Sequence, residues 1–77
     1  MRSLYIHLDS VDKVKTFVGI ISAFDGEFDL GSNRYVVDAK SIMGIFSLDL
    51  GKTLRLDVHN EAILDNAVEA LQEFIIS

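Results

Sequence analysis

Two stretches far apart in the chain, residues 4–8 and 53–58, each put apolar side chains on alternate positions. In the first, Leu4, Ile6 and Leu8 alternate with Tyr5 and His7; in the second, "TLRLDV", Leu54, Leu56 and Val58 alternate with Arg55 and Asp57. A period of two belongs to a strand with one face buried and the other wet, so the chain must build a sheet covered on one side. The cover has to come from the same 77 residues, which read as one domain over 1–77. A domain of this size buries only about 60% of the surface its unfolded chain exposes.

The cover is amphipathic helix. Ser10 is a cap, Asp12 sits in the first turn where the helix dipole favours an anion, and Val11, Val14, Phe17, Val18 and Ile21 form an apolar stripe at helical spacing. Phe28 and Leu30 begin a second alternation, "GSN" at 31–33 is a hairpin turn, and "RYVVDA" at 34–39 continues as a third strand. Ser41 then caps a short helix carrying Ile42, Met43, Ile45 and Phe46, and "DLGK" turns the chain into 53–58. Asn60 caps a last helix with Ile63, Ala67, Leu71, Phe74 and Ile75 on one face. The order is β-α-β-β-α-β-α. It specifies an α+β two-layer open-faced sandwich, an antiparallel sheet with helices on one face, and puts Tyr5, His7, Arg55 and Asp57 on the wet side.

Composition removes several function classes. Seven basic residues against twelve acidic ones leave a net charge of -5 with no basic run, so direct nucleic-acid binding is not expected. There is no cysteine for a disulfide, a thiolate metal site or a nucleophile. The first ten residues are too short in apolar content for a signal segment, and no run approaches the roughly 20 apolar residues of a membrane span. A cytoplasmic protein without membrane attachment fits these features.

Groups with chemistry to offer are sparse. His7 lies on the outward phase of the first strand and His59 just after the last, and neither has a second ligand at metal spacing. Asp9 with Asp12, Asp25 with Glu27, and Glu69 with Glu73 read as solvated faces rather than acid–base pairs. "FDGEFDLGSN" has two glycines but not the strand-to-helix context of a phosphate loop. These residues predict no catalytic constellation, no metal site, no cofactor and no enzyme. Four large apolar residues in one and a half turns after Ser41 are a different matter. A short helix cannot bury Ile42, Met43, Ile45 and Phe46 on one side, and an exposed apolar patch marks a partner surface, although Ile42 and Ile45 also suit the core.

The segment "KSIMGIFSL" at 40–48, with the "SNRYVVDA" hairpin before it and a turn and strand after it, resembles HPr, the histidine-containing phosphocarrier of the bacterial sugar phosphotransferase system. Gram-positive HPr-like proteins carry a closely similar K-S-I-M-G-x-x-S-L segment, and the likeness in element order runs from about residue 3 to residue 75. The resemblance implies a sheet of spatial order 1-4-2-3 with three helices on one side. The family's relay chemistry uses a histidine opening the first helix in a Gly-x-His-x-Arg-Pro context. The matching "DSVDKVKTF" at 9–17 has no histidine, arginine, glycine or proline. Ser10, Asp12 and Lys13 stand there instead, a degenerate phosphohistidine site: a serine phosphate has far lower transfer potential, and Asp12 repels an incoming phosphate.

Ser41 matches the position that an ATP-dependent HPr kinase phosphorylates in HPr-like proteins of Gram-positive bacteria. A phosphate there adds charge at a helix start, worth roughly 1 kcal/mol to the helix. In the family this helix docks on the kinase and on the catabolite-control transcription factor, which implies Lys40, Ile42, Met43 and Phe46 as partner contacts. The chain is thus similar to the catabolite-repression paralogue of HPr, a regulatory module rather than a carrier, though Asp49 stands where relatives often have a small residue. Two other readings remain open: a phosphocarrier with a displaced acceptor such as His59, and a small-molecule regulatory module of ACT or ferredoxin-like type, which needs a longer second helix.

Overall fold

Both alternating stretches are strands, and they lie side by side. The computed structural model describes residues 2–33 and 35–76. Its elements are β1 (Arg2–His7), α1 (Val11–Ser22), β2 (Phe28–Gly31), β3 (Val36–Asp38), α2 (Ile42–Phe46), β4 (Thr53–Val58) and α3 (Leu64–Ala70), with a 3₁₀ turn at Glu61–Ile63 leading into α3. The sheet order is β1-β4-β2-β3, and each neighbouring pair is antiparallel. This is the order the resemblance implies. The five residues of α2 do not meet the longer-helix requirement of the ACT-type alternative.

Register explains the one-sided core. Leu4, Ile6 and Phe28, Leu30 flank Leu54, Leu56 and Val58 across β4, so all their side chains point to the helix side. Val14, Phe17, Val18 and Ile21 of α1, Ile45 of α2 and Ala67 of α3 close over them. Phe17 meets Phe74 edge to face, ring centroids 5.9 Å apart, a geometry worth about 0.5–1.5 kcal/mol beyond the area it buries. Gly26 has a φ of +101°, and a Cβ built there would stand 2.8 Å from the Cβ of Asn60, so only glycine lets this turn lie against the start of the 3₁₀ segment.

Four expectations need correction. Val11 is exposed: it lies in the first turn of α1, ahead of the stretch that packs on the sheet. The third strand spans only Val36–Asp38, and Arg34 of the expected 34–39 lies outside the described residues. Asn60 caps the 3₁₀ turn, its Oδ1 accepting from Ala62 N at 3.1 Å, and α3 stops at Ala70 rather than continuing through Phe74 and Ile75. Beyond α3 the chain turns back to the free edge of β1: His7 N donates to Phe74 O, Ile76 N donates to Tyr5 O, both at 3.0 Å, and Ile75 bridges Ile6. An unpaired edge offers these backbone groups partners, and β-branched isoleucines favour the extended form, so edge pairing overrides helical spacing.

The fourth correction concerns Asp57, which the alternation puts on the wet face. It is only 7% exposed. Central β4 carries it between two strands, where Ser3 Oγ donates to Oδ1 at 2.5 Å and Arg55 Nε to Oδ2 at 3.3 Å, so the carboxylate is buried with partners. Tyr5 and Arg55 face solvent as expected. Among the described residues no helix is long and apolar enough to cross a membrane.

Candidate functional site

Two serines open the first two helices with the same geometry. Ser10 Oγ accepts from Lys13 N at 3.1 Å, and Ser41 Oγ accepts from Gly44 N at 3.1 Å. Each satisfies one of the backbone donors that a helix start leaves without an intrahelical acceptor. What surrounds each cap differs.

Around Ser10 the neighbours are charged and mutually satisfied. Lys13 Nζ sits 2.9 Å from Asp9 Oδ1, both side chains about half exposed. That hydrogen bond and the lysine's charge lower the Asp9 carboxyl below its ordinary value, with a smaller contribution from His7. Asp12 follows in the first turn. Lys13 is therefore already engaged with Asp9, and a second carboxylate, Asp12, stands beside it.

Around Ser41 the neighbours are apolar. Ile45 is buried in the core, whereas Ile42, Phe46 and above all Met43, 80% exposed, face outward. The exposed patch expected from residue crowding is there, with Ile42 on its rim rather than in the core. Gly44 brings the helix close to β3: a Cβ there would meet Val37 Cβ at 3.2 Å and Ser41 Oγ at 3.3 Å. The glycine of "KSIMG" thus serves close approach of helix to strand, a role that spacing alone does not reveal. Ser47 ends the helix, its hydroxyl donating to Gly44 O at 2.6 Å.

Lys40 does not project beside the patch. Its Nζ donates to Phe24 O at 2.8 Å, its ammonium lies 5.6 Å from the Phe28 ring centroid, and its backbone N–H donates to Asp38 Oδ1 at 2.9 Å. It ties the end of α1 to the start of α2, and so positions the patch.

The two histidines sit at opposite ends of the sheet. His7 Nε2 is 2.9 Å from Gly51 O; a carbonyl only accepts, so Nε2 carries the proton. His59 Nε2 is 2.7 Å from Asp29 Oδ2, at the far end of β4 from the start of α1. Among the described residues no group of three or more His, Cys, Asp or Glu side chains is arranged to hold a metal ion. A cleft of about 370 Å³ lies between the β2–β3 turn and residues 47–53, and contains none of the sequence-predicted site residues.

A family model described as the PTS HPr component phosphorylation site matches residues 13–77, starting inside α1. Among solved structures, the crystal structure of HPr-C-His from Thermoanaerobacter tengcongensis is similar at a TM-score of 0.77 and 25% sequence identity, over 95% of this chain and 89% of that one. No curated protein sequence matches the chain.

Proposed function

The chain belongs to the HPr family of the sugar phosphotransferase system, and from that premise we propose that it is a single-domain regulatory, protein-binding member in which phosphoryl relay has been lost and Ser41 receives a regulatory phosphate. The observation that carries this reading is the contrast between an apolar, outward-facing Ser41 region and a start of α1 without histidine, where Lys13 is held by Asp9.

The mechanism is electrostatic. A phosphate on Ser41 adds about −1.5 to −2 charge at pH 7 beside Met43 and Phe46. Lys40, the adjacent cation, is engaged with Phe24 O, so the new charge is left for a partner's Arg or Lys to meet in bidentate or point contact. Five residues of α2 sum to a small macrodipole, so the gain falls on partner recognition more than on the helix itself. The partners would be an HPr kinase and a catabolite-control transcription factor, with Ile42, Met43 and Phe46 in the contact and Lys40 holding the helix start. No catalysis and no cofactor are required of the domain in this role, and a cytoplasmic setting suits it.

Ser10, Asp12 and Lys13 form the degenerate relay site. A displaced acceptor at His59 is disfavoured by its place at the other end of β4 and by Asp29, whose carboxylate repels phosphate.

Intact mass after two parallel incubations tests the proposal. One incubation uses ATP with an HPr kinase, the other phosphoenolpyruvate with enzyme I, and Ser41→Ala is the control. One phosphate added only by the kinase, and absent in the variant, is the expected result. Acid-labile phosphate from phosphoenolpyruvate would restore the carrier reading, and no phosphate from either source would remove Ser41 regulation.

A further inference from the structure

The face of the sheet turned away from the helices is organised in two rows that neither the relay nor Ser41 explains. The antiparallel registers place Ser3, Asp57, Asp29 and Asp38 in one line across β1, β4, β2 and β3. They place Tyr5, Arg55, Gly31 and Val36 in the next. The segment on the edge of β1 extends the second row: Ile75 bridges Ile6 and packs on the core, so Ile76 falls beside Tyr5 on the outer face.

Apart from Arg55 this second row is apolar, and it is exposed. Ile76 is 54% exposed, Tyr5 46% and Val36 58%. Between them Gly31 has no side chain, and a guanidinium nitrogen of Arg55 lies 3.5 Å from where its Cβ would be. The first row is acidic. Like charges directly opposite one another destabilise a sheet, yet here three carboxylates are consecutive. Ser3 and Arg55 offset Asp57, and His59 contacts Asp29, while Asp38 is exposed on the edge strand. With His59 neutral, three carboxylates against one guanidinium leave two formal negative charges on this row.

We propose that this open face is a second protein-docking surface, which takes a basic amphipathic segment of a partner. Its apolar side lies along Ile76, Tyr5 and Val36, and its Lys or Arg residues meet Asp29 and Asp38. The dimensions agree. Rows two residues apart along a strand are about 7 Å apart, and five adjacent chains span about 19 Å. A helix of about 13 residues is that long and about 10 Å wide, so it covers both rows at once. Charge selects the occupant: a second copy of this chain, net -5, or an anionic lipid surface would be repelled by the acidic row.

The test is a titration of the full chain with a fluorescently labelled 14-residue Lys/Leu amphipathic peptide, read by anisotropy and by backbone amide shifts. Tyr5→Ser is expected to weaken binding at least tenfold. Asp38→Asn is expected to weaken it about threefold while raising the urea midpoint, since it removes a like-charge contact. Phe46→Ser, in the patch proposed for Ser41-dependent partners, should leave this binding unchanged, so each surface can fail without the other. Shifts should fall on all four strands and on residues 75–76. Shifts confined to α2 with loss of binding in Phe46→Ser would overturn the proposal. So would equal binding of a Glu/Leu peptide, self-association that Tyr5→Ser abolishes, or no binding at all.

Discussion

Ser10 and Ser41 make the same hydrogen bond at the same 3.1 Å, each to the backbone N–H three residues on, and yet the two helix starts are chemically unlike. One is ringed by Asp9, Asp12 and Lys13 and has nothing apolar outward except Val11. The other has Ile42, Met43 and Phe46 outward, with its nearest cation folded back on Phe24 O. A cap is a structural device that any helix can use. What distinguishes a modification site from a cap is what the neighbours would do with added charge: at Ser10 a phosphate meets carboxylates, and at Ser41 it meets a surface that a partner can cover.

The comparison breaks most decisively on phosphate itself. Peptide mapping after kinase treatment should find the modification at Ser41 and none at Ser10; label at Ser10 would make the charged surroundings irrelevant. Next in size is partner affinity. Met43→Ser should weaken capture of the kinase or regulator tenfold or more, about 1.4 kcal/mol, with little change in the urea midpoint, since Met43 is 80% exposed. Val11→Ser, also exposed but beside the other cap, should not.

Smaller effects test the premise that the caps are equivalent. Ser10→Ala and Ser41→Ala should each cost about 0.5–2 kcal/mol in urea unfolding. A cost at one serine only would mean that the hydrogen bonds differ in worth despite their equal lengths. Ser41→Asp belongs beside Ser41→Ala, since it keeps an acceptor at the cap and separates lost stability from lost recognition. The smallest effect lies in acid. Because Lys13 lowers the Asp9 carboxyl in the folded state, its contribution is complete above the unfolded value of 3.8 and is lost as pH falls through the lower folded one. Asp9→Asn should flatten the stability curve in that window only, and high salt should do the same to the parent, because the pair is half exposed.

Much of this was legible in the residues. Period-two alternation exposed β1 and β4, Ser10 and Ser41 announced the caps of the first two helices, and crowding after Ser41 announced an apolar surface. What escaped has a common cause: it depends on which strands are neighbours. Asp57 reads as solvated until Ser3 is known to stand opposite it. Phe74 and Ile75 read as helical until the free edge of β1 is seen to claim them. Lys40 reads as a surface cation because nothing local says that the end of α1 passes within its reach. The glycine at 44 gives no local hint that Val37 lies 3.2 Å from a Cβ built there.

The pairing of Ile6 with Ile75 has a consequence for how the chain reaches this state. Within the domain β1 is made before every other element, whereas its neighbours on both sides, β4 and residues 75–76, follow only after α1, β2, β3 and α2. Until they emerge, Leu4, Ile6 and Leu8 have no sheet to join, while β2, β3 and α2 can already form local contacts. Closing loops this long is slow, since their entropy must be overcome before any pairing is gained. The domain should therefore fold only after nearly all of it has left the ribosome, as one late cooperative step. Loss of residues 75–76 would then act on the rate at which β1 is captured as well as on the final stability.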